Sequence, residues 1–255
     1  MNIFNAPRIG YSIFAIASIS GYPTGAKLIS DCYDQKLLDT SRAESIIPFT
    51  STASPLFILG TIGTAHFNNR YIGIALLISH YIGAILNGVL FGKSAILNEH
   101  REERPLIIKN QFKAPQISET LTNAVSSSTT SILIVGAYII IFNVIITLLN
   151  SLSIISGISS VLRLFKVPNE ISSAIITSII EPTRGIIIIS KLNYDPKIIL
   201  PILSVMLAFG GMSIALQSMA FLIKCKIKFR KYLITKVWQS ILSFSVTLVI
   251  CQIFF

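Results

Sequence analysis

Lys27, Glu181 and Arg184 are charged residues in apolar surroundings, and each sits in a helix-breaking motif. Lys27 closes the run SGYPTGAK at 20–27, where Gly21 and Gly25 give backbone freedom, Pro23 ends a helix and Thr24 adds a hydroxyl. Glu181 and Arg184 belong to EPTRG at 181–185, with Thr183 between them, and are the only charged residues between Glu170 and Lys191. An unpaired charge at membrane depth costs at least roughly 2.5–3.5 kcal/mol. Three arrangements meet that cost: a Lys27–Glu181 pair, a local Glu181–Arg184 pair at i,i+3 spacing, or a hydrated site. In a hydrated site Glu181 accepts hydrogen bonds from a polar solute or binds a coupling cation. Further polar contacts come from Thr50, Ser51, Thr52 and Ser54 in TSTASP (50–55), and from Ser213 and Gln217 beside Gly210 and Gly211 in AFGGMS (208–213). Singly, each Ser or Thr more often bonds back to its own helix.

No catalytic constellation accompanies these residues. His80, in LLISHY, reads as a helix–helix contact, and His66 and His100 fall near loop ends. Cys32, Cys225 and Cys251 stand far apart, without disulfide or metal-ligand spacing. A Gly-rich phosphate loop, G-x-S-x-G and HExxH are all missing from the sequence. The expectation is a protein that is not an enzyme, with no catalytic residues, no metal and no cofactor.

The elements that must position these residues are membrane helices. Of 255 residues 52% are hydrophobic and only 13% charged, about half the charge usual in a soluble domain. Residues 70–92 form a span roughly 35 Å long, and 131–150 and 232–253 read as two more. Between them the apolar stretches are interrupted. The first hairpin covers 8–38 around SGYPTGAK, and a broken helix covers 40–66 around TSTASP. A second hairpin covers 169–192 around EPTRG, and a second broken helix covers 196–223 around AFGGMS. Pro23-Thr24 corresponds to Pro182-Thr183, Phe49 to Phe209, and Arg70-Tyr71 to Lys231-Tyr232, at nearly one common offset. The order and spacing predict a duplicated unit of hairpin, broken helix and whole helix.

Charge orients that unit. The net charge of +10 reads as a positive-inside signal rather than a nucleic-acid footprint, so no nucleic acid is expected as a partner. With both hairpins re-entrant, one side receives Lys93, Arg101, Arg104, Lys109 and Lys113, and also Lys224, Lys226, Lys228, Arg230 and Lys231. The other side receives Arg70, Arg163, Lys166, Lys191 and Lys197. The richer side is the cytoplasm, and an odd number of crossings between the hairpins makes the repeats inverted. The predicted organisation is a first repeat over 1–92, a cytoplasmic loop over 93–117, a connecting membrane helix and interfacial link over 118–168, and a second repeat over 169–255. The fold class is therefore an all-α polytopic membrane protein, with two tips and two broken helices meeting near the midplane. Discontinuous-helix transporters build solute sites in this way. The residues expected there are Gly21, Pro23, Thr24, Lys27, Thr50, Ser51, Ser54, Glu181, Thr183, Arg184, Gly210, Gly211 and Gln217, with membrane lipid and a small polar solute as partners.

The runs SGYPTGAKLISDCYDQKLL, SPLFILGTIG (54–63), LLISHYIGAILNGVLF (76–91), AFGGMSIALQ (208–217) and KFRKYLITKVWQS (228–240) resemble the YlbJ-type sporulation integral membrane proteins of the nucleoside-recognition, or Gate-domain, family. The resemblance covers nearly the whole chain and is most specific at its first motif. It implies a bacterial inner-membrane protein acting in spore formation, with a Gate repeat similar to the core of concentrative nucleoside transporters. It settles no solute, a nucleoside-like one being what the family name offers; a non-transporting scaffold of a spore-morphogenesis complex is the alternative. Two departures bear on this. Members of that family usually carry further membrane helices ahead of the first tip, which here begins at Ser20. The second tip reads EPTRG where a Thr-Asn-Gly-like tip is expected, so Arg184 brings a positive charge toward the site.

Overall fold

The computed structural model describes residue 4, residues 6–96 and residues 117–255, and the side chains of 93–96 are not included. Of the cytoplasmic loop expected over 93–117, residues 93–96 and 117 are helical instead, and the rest, with His100, Arg101, Arg104, Lys109 and Lys113, lies outside the described residues, as does the Lys93 side chain. Among the described residues the fold is all helical. Helices α1 (Arg8–Ser20) and α2 (Thr24–Asp34) flank the SGYP turn, and α3 (Thr40–Thr50) leads into an unwound stretch at 51–54. A π-helix follows over Leu56–His66, and then α4 (Arg70–Ile96). The rest is α5 (Ile117–Ser151), α6 (Ile154–Leu162), α7 (Asn169–Ile180), α8 (Pro182–Ser190), α9 (Pro196–Phe209), α10 (Gly211–Leu222) and α11 (Phe229–Phe254).

Four of these stretches are long and apolar enough to cross a membrane: Arg70–Gly92, Ile117–Ser151, Pro196–Cys225 and Phe229–Phe254. Exposed Ile74, Ile78, Ile82 and Ile85 on α4, and Val237, Ile241 and Leu248 on α11, would be a liability in water. In a bilayer they face acyl chains. The chain is thus a multi-pass membrane protein. Helix α5 is the most lipid-like of all, with only Phe142 and Ile146 buried.

Local chemistry sets the helix ends. Asp39 accepts a hydrogen bond from the Arg42 amide at 2.8 Å and opens α3. Asp195 does the same for the Lys197 amide at 2.8 Å, with Pro196 in the first turn of α9. Gly210, at φ +75°, closes α9, and Gly211 follows at φ +65°. Helix α5 starts well before the apolar core of its sequence. Its Ser/Thr-rich first half bonds back along the helix, as in Thr122 Oγ1 to Ser118 O at 2.8 Å and Ser131 Oγ to Ser127 O at 2.9 Å, which hides the hydroxyls from lipid.

The long helices α4 and α11 pack together at the centre, with α9 against α11 and α3 against α4. One apolar cluster joins the π-helix, α4, α8, α9 and α11 through Ile62, Leu76, Ile189 and Leu203. A second joins α1, α3 and the end of α10 through Ile13, Ile46, Phe49 and Leu222.

Candidate functional site

The interrupted segments converge on one cavity of about 210 Å³. Ser20, Gly21 and Tyr22 come from the first turn, and Ala53, Ser54 and Phe57 from the unwound stretch and the start of the π-helix. Glu181, Pro182 and Thr183 come from the α7–α8 break, and Leu207, Ile214 and Gln217 from either side of Gly210. Val135 and Ile139 of α5 complete the wall. Most of this surface is apolar, with Ser54, Glu181, Thr183 and Gln217 as the polar points. The volume is below the roughly 300–1,000 Å³ of drug-sized ligand sites.

Glu181 is buried and lies between α7 and α8 in extended conformation. Its carboxylate caps α8, accepting from the Thr183 amide at 3.2 Å, the Arg184 amide at 2.8 Å and the Thr183 hydroxyl. The positive end of α8 thus offsets a buried carboxylate that has no cationic partner among the described residues. Arg184 does not pair with Glu181 through its side chain. Its guanidinium instead reaches α5, with Nη1 at 3.3 Å from Asn143 O, 3.4 Å from Asn143 Oδ1 and 3.2 Å from Thr147 Oγ1. Lys27 also meets α5, donating from Nζ to Ser127 O at 3.3 Å. Neither ion pair offered by the sequence is formed.

The unwound stretch after α3 follows from its prolines. Pro55 disfavours helical backbone at Ser54. The Pro48 carbonyl would meet the Thr52 amide if the helix continued; Asn87 Nδ2 takes that place at 2.8 Å. Side chains of α4 and α11 satisfy the next groups. The Ala53 amide donates to His80 Nε2 at 2.9 Å, and Tyr81 OH lies 3.0 Å from the Ala53 carbonyl. The Ser51 carbonyl accepts from Lys236 Nζ at 3.0 Å, and Ser51 Oγ is 3.0 Å from Tyr232 OH. Irregular backbone is tolerated at membrane depth where protein supplies partners in this way. His80→Phe is therefore expected to strand the Ala53 amide and to cost about 1–3 kcal/mol, read as a lower thermal midpoint in detergent. An unchanged midpoint would mean that the amide finds another acceptor.

Lys236 stands in no helix-breaking motif, yet it lies at the centre of these contacts. It is 1% exposed and donates to Tyr22 OH at 2.8 Å, Ser51 O at 3.0 Å and Gln239 Oε1 at 2.7 Å. Three acceptors match the three N–H bonds of an ammonium, and the Tyr22 ring lies beneath it at 4.8 Å. One side chain thereby ties the first turn, the unwound stretch and α11 together, and Tyr22 carries the connection to the cavity wall. A signal for it exists in the sequence. Lys236, Gln239, Ser240, Ser243 and Thr247 recur at helical spacing, and all are buried.

Of the residues expected at the site, Gly21, Ser54, Glu181, Thr183 and Gln217 line the cavity. Pro23, Thr24, Lys27, Thr50, Ser51, Arg184, Gly210 and Gly211 do not. Thr50 bonds back to Ile46 O at 3.0 Å. Pro23 and Thr24 start α2, and Gly211 packs against the α7–α8 break, where a Cβ would meet Ser178 O at 2.6 Å.

No family model matches the chain. It is similar to the sporulation integral membrane protein YlbJ of Bacillus subtilis (strain 168), at 27% identity in an alignment 261 positions long, gaps included, that covers 94% of this chain. That supports a YlbJ-type assignment. The chain spans 63% of the length of that curated relative. No solved structure matches.

Proposed function

We propose that the chain forms the transporter-like core of a sporulation-associated membrane protein and binds a small polar solute in the central cavity. The observation that carries this reading is the convergence of two helix turns and two helix breaks on one cavity of about 210 Å³. Such breaks cost helical hydrogen bonds, and placing four of them around one space is the arrangement that serves a solute site in discontinuous-helix transporters. Ser54, Thr183 and Gln217 supply neutral hydrogen-bonding groups at the wall, and Glu181 supplies a fixed carboxylate. The association with sporulation rests on the likeness to YlbJ, and the nucleoside-recognition and Gate-domain reading on the resemblance of the tip motifs. The orientation, with the loops 93–117 and 224–231 on the cytoplasmic side, rests on the distribution of Lys and Arg, and the bacterial inner membrane on the likeness to the Bacillus protein. The proposal contains no catalytic step.

A non-transporting scaffold is the second reading. It is favoured by one observation: Glu181 and Lys236 are both fully engaged by protein groups, so neither needs a solute. Uptake into vesicles containing the purified protein separates the two. The test uses radiolabelled small polar solutes, nucleosides among them, and the Gln217→Leu variant. Gln217 is chosen because it lines the cavity and its side-chain amide donates within α10, to Ser213 Oγ at 3.1 Å. Transport predicts uptake by the native protein and a loss of tenfold or more, on the order of the 1–3 kcal/mol of a buried hydrogen bond, at an unchanged thermal midpoint. Absence of uptake across the panel would favour the scaffold.

A further inference from the structure

A second cavity, of about 300 Å³, lies at the charged end of the bundle, away from the central one. Here α2 ends, α3 begins and the chain turns from α10 into α11. Two ion pairs cross this end, Lys224 to Asp34 at 3.2 Å and Lys231 to Glu44 at 2.7 Å. Lys226, Lys228 and Arg230 share the same turn, are exposed, and have no carboxylate within salt-bridge distance among the described residues. Among the described residues the turn therefore keeps a net positive charge, with Lys224 and Lys231 paired and Lys226, Lys228 and Arg230 left over.

The cavity wall changes character with depth. Glu44, Lys231 and Tyr232 stand at the charged end, and Phe91 and Ile234 carry the wall outward between α4 and α11. Phe91 faces Trp238 at 6.3 Å between ring centroids. Ile234 is 40% exposed and Trp238 is 45% exposed, on the face of α11 that meets acyl chains. The exposed Lys228 and Arg230, next in sequence to the lining residues Ile227 and Lys231, thus stand at the start of an apolar track along the outside of two membrane-crossing helices, with Trp238 beside Phe91.

We propose that this cavity seats an anionic phospholipid, with its phosphodiester at the Lys228–Lys231 turn and an acyl chain along Phe91, Ile234 and Trp238. The charge favours an anionic headgroup over a zwitterionic one, because unpaired Lys and Arg next to a bilayer attract acidic lipids. The apolar track favours a lipid over free phosphate, which has nothing to place against Phe91 and Ile234. Glu44 opposes the anion in part, since its carboxylate lies in the same wall, where Lys231 pairs with it at 2.7 Å.

Trp238 is the only tryptophan in the chain and reports on this track directly. The full chain is reconstituted in phosphatidylcholine vesicles containing a fixed fraction of brominated phosphatidylglycerol, or the same fraction of brominated phosphatidylcholine. Bromine quenches indole fluorescence on contact, so the ratio of the two signals gives the local enrichment of anionic lipid. Enrichment of at least about fivefold is expected, the effect of a single uncompensated cation near the surface, since Lys226, Lys228 and Arg230 together act against Glu44. It should fall to the bulk ratio in the Lys228→Gln/Arg230→Gln double variant and rise in Glu44→Gln. Equal quenching by the two lipids in the native protein would overturn the proposal. So would an excess that survives in the double variant, or one abolished by millimolar inorganic phosphate at constant ionic strength.

Discussion

Gly21→Ala is expected to lower stability by about 3 kcal/mol or more, enough to cut the yield of folded protein sharply. Gly21 holds φ +80° and ψ −170°, a region that only glycine enters without strain. A Cβ there would lie 2.7 Å from the Ser54 amide nitrogen and 3.0 Å from Ser54 Cβ. Backbone stands on one side of that contact, so rotation of a side chain gives no relief. The first turn must then move off the unwound stretch, and the cavity loses two of its walls. Gly136→Ala on α5 is the matched control, because a Cβ at Gly136 meets nothing within 4 Å. It should be neutral or stabilising by up to about 1 kcal/mol. Thermal midpoints in one detergent decide the matter, and equal midpoints for the two variants would mean that the turn does not pack as described.

Lys236→Met is expected to have the second large effect. Methionine fills most of the space but donates nothing, so Tyr22 OH, Ser51 O and Gln239 Oε1 all lose their donor. Each buried orphan costs roughly 1–3 kcal/mol. Removing a buried ammonium returns part of that as desolvation, which leaves a net loss of roughly 2 kcal/mol. Lys236→Arg should not rescue the loss, since a planar fork cannot address three acceptors grouped around one nitrogen. The expected signature is a lower midpoint in both variants, with lost uptake if the central cavity carries solute. A Lys236→Met protein as stable as the native one would show that the unwound stretch does not depend on this amine.

The positions of the interruptions were legible because glycine and proline report backbone need directly. Pro23, Pro55, Pro182 and Gly210 each sit at an observed turn or break. The three whole spans were legible from their apolar length, except at the start of α5. There Ser and Thr lower the hydropathy while their hydroxyls bond back into the helix. Less of the site could be read. Charged residues near the tips were natural candidates, yet Lys27 and Arg184 turn outward to α5 and Glu181 serves as a helix cap. Sequence spacing does not say which way a long side chain runs from its own turn. Lys236 was hidden for the opposite reason. It lies inside a span whose average hydropathy is high, and its acceptors come from segments 185 and 214 residues away. Only the periodicity of polar residues on α11 hints that this face is buried.

The claim on which the rest depends is that Lys236 holds the first turn and the unwound stretch in place through Tyr22 and Ser51. A double-mutant cycle of Tyr22→Phe and Lys236→Met, followed by equilibrium unfolding in one detergent, tests it most directly. Tyr22→Phe removes the hydroxyl that lies 2.8 Å from the Lys236 amine and leaves the ring beneath it. The predicted result is a coupling energy of about 1 kcal/mol or more, with the double variant markedly less destabilised than the sum of the two single ones. Additivity within about 0.3 kcal/mol would contradict the account.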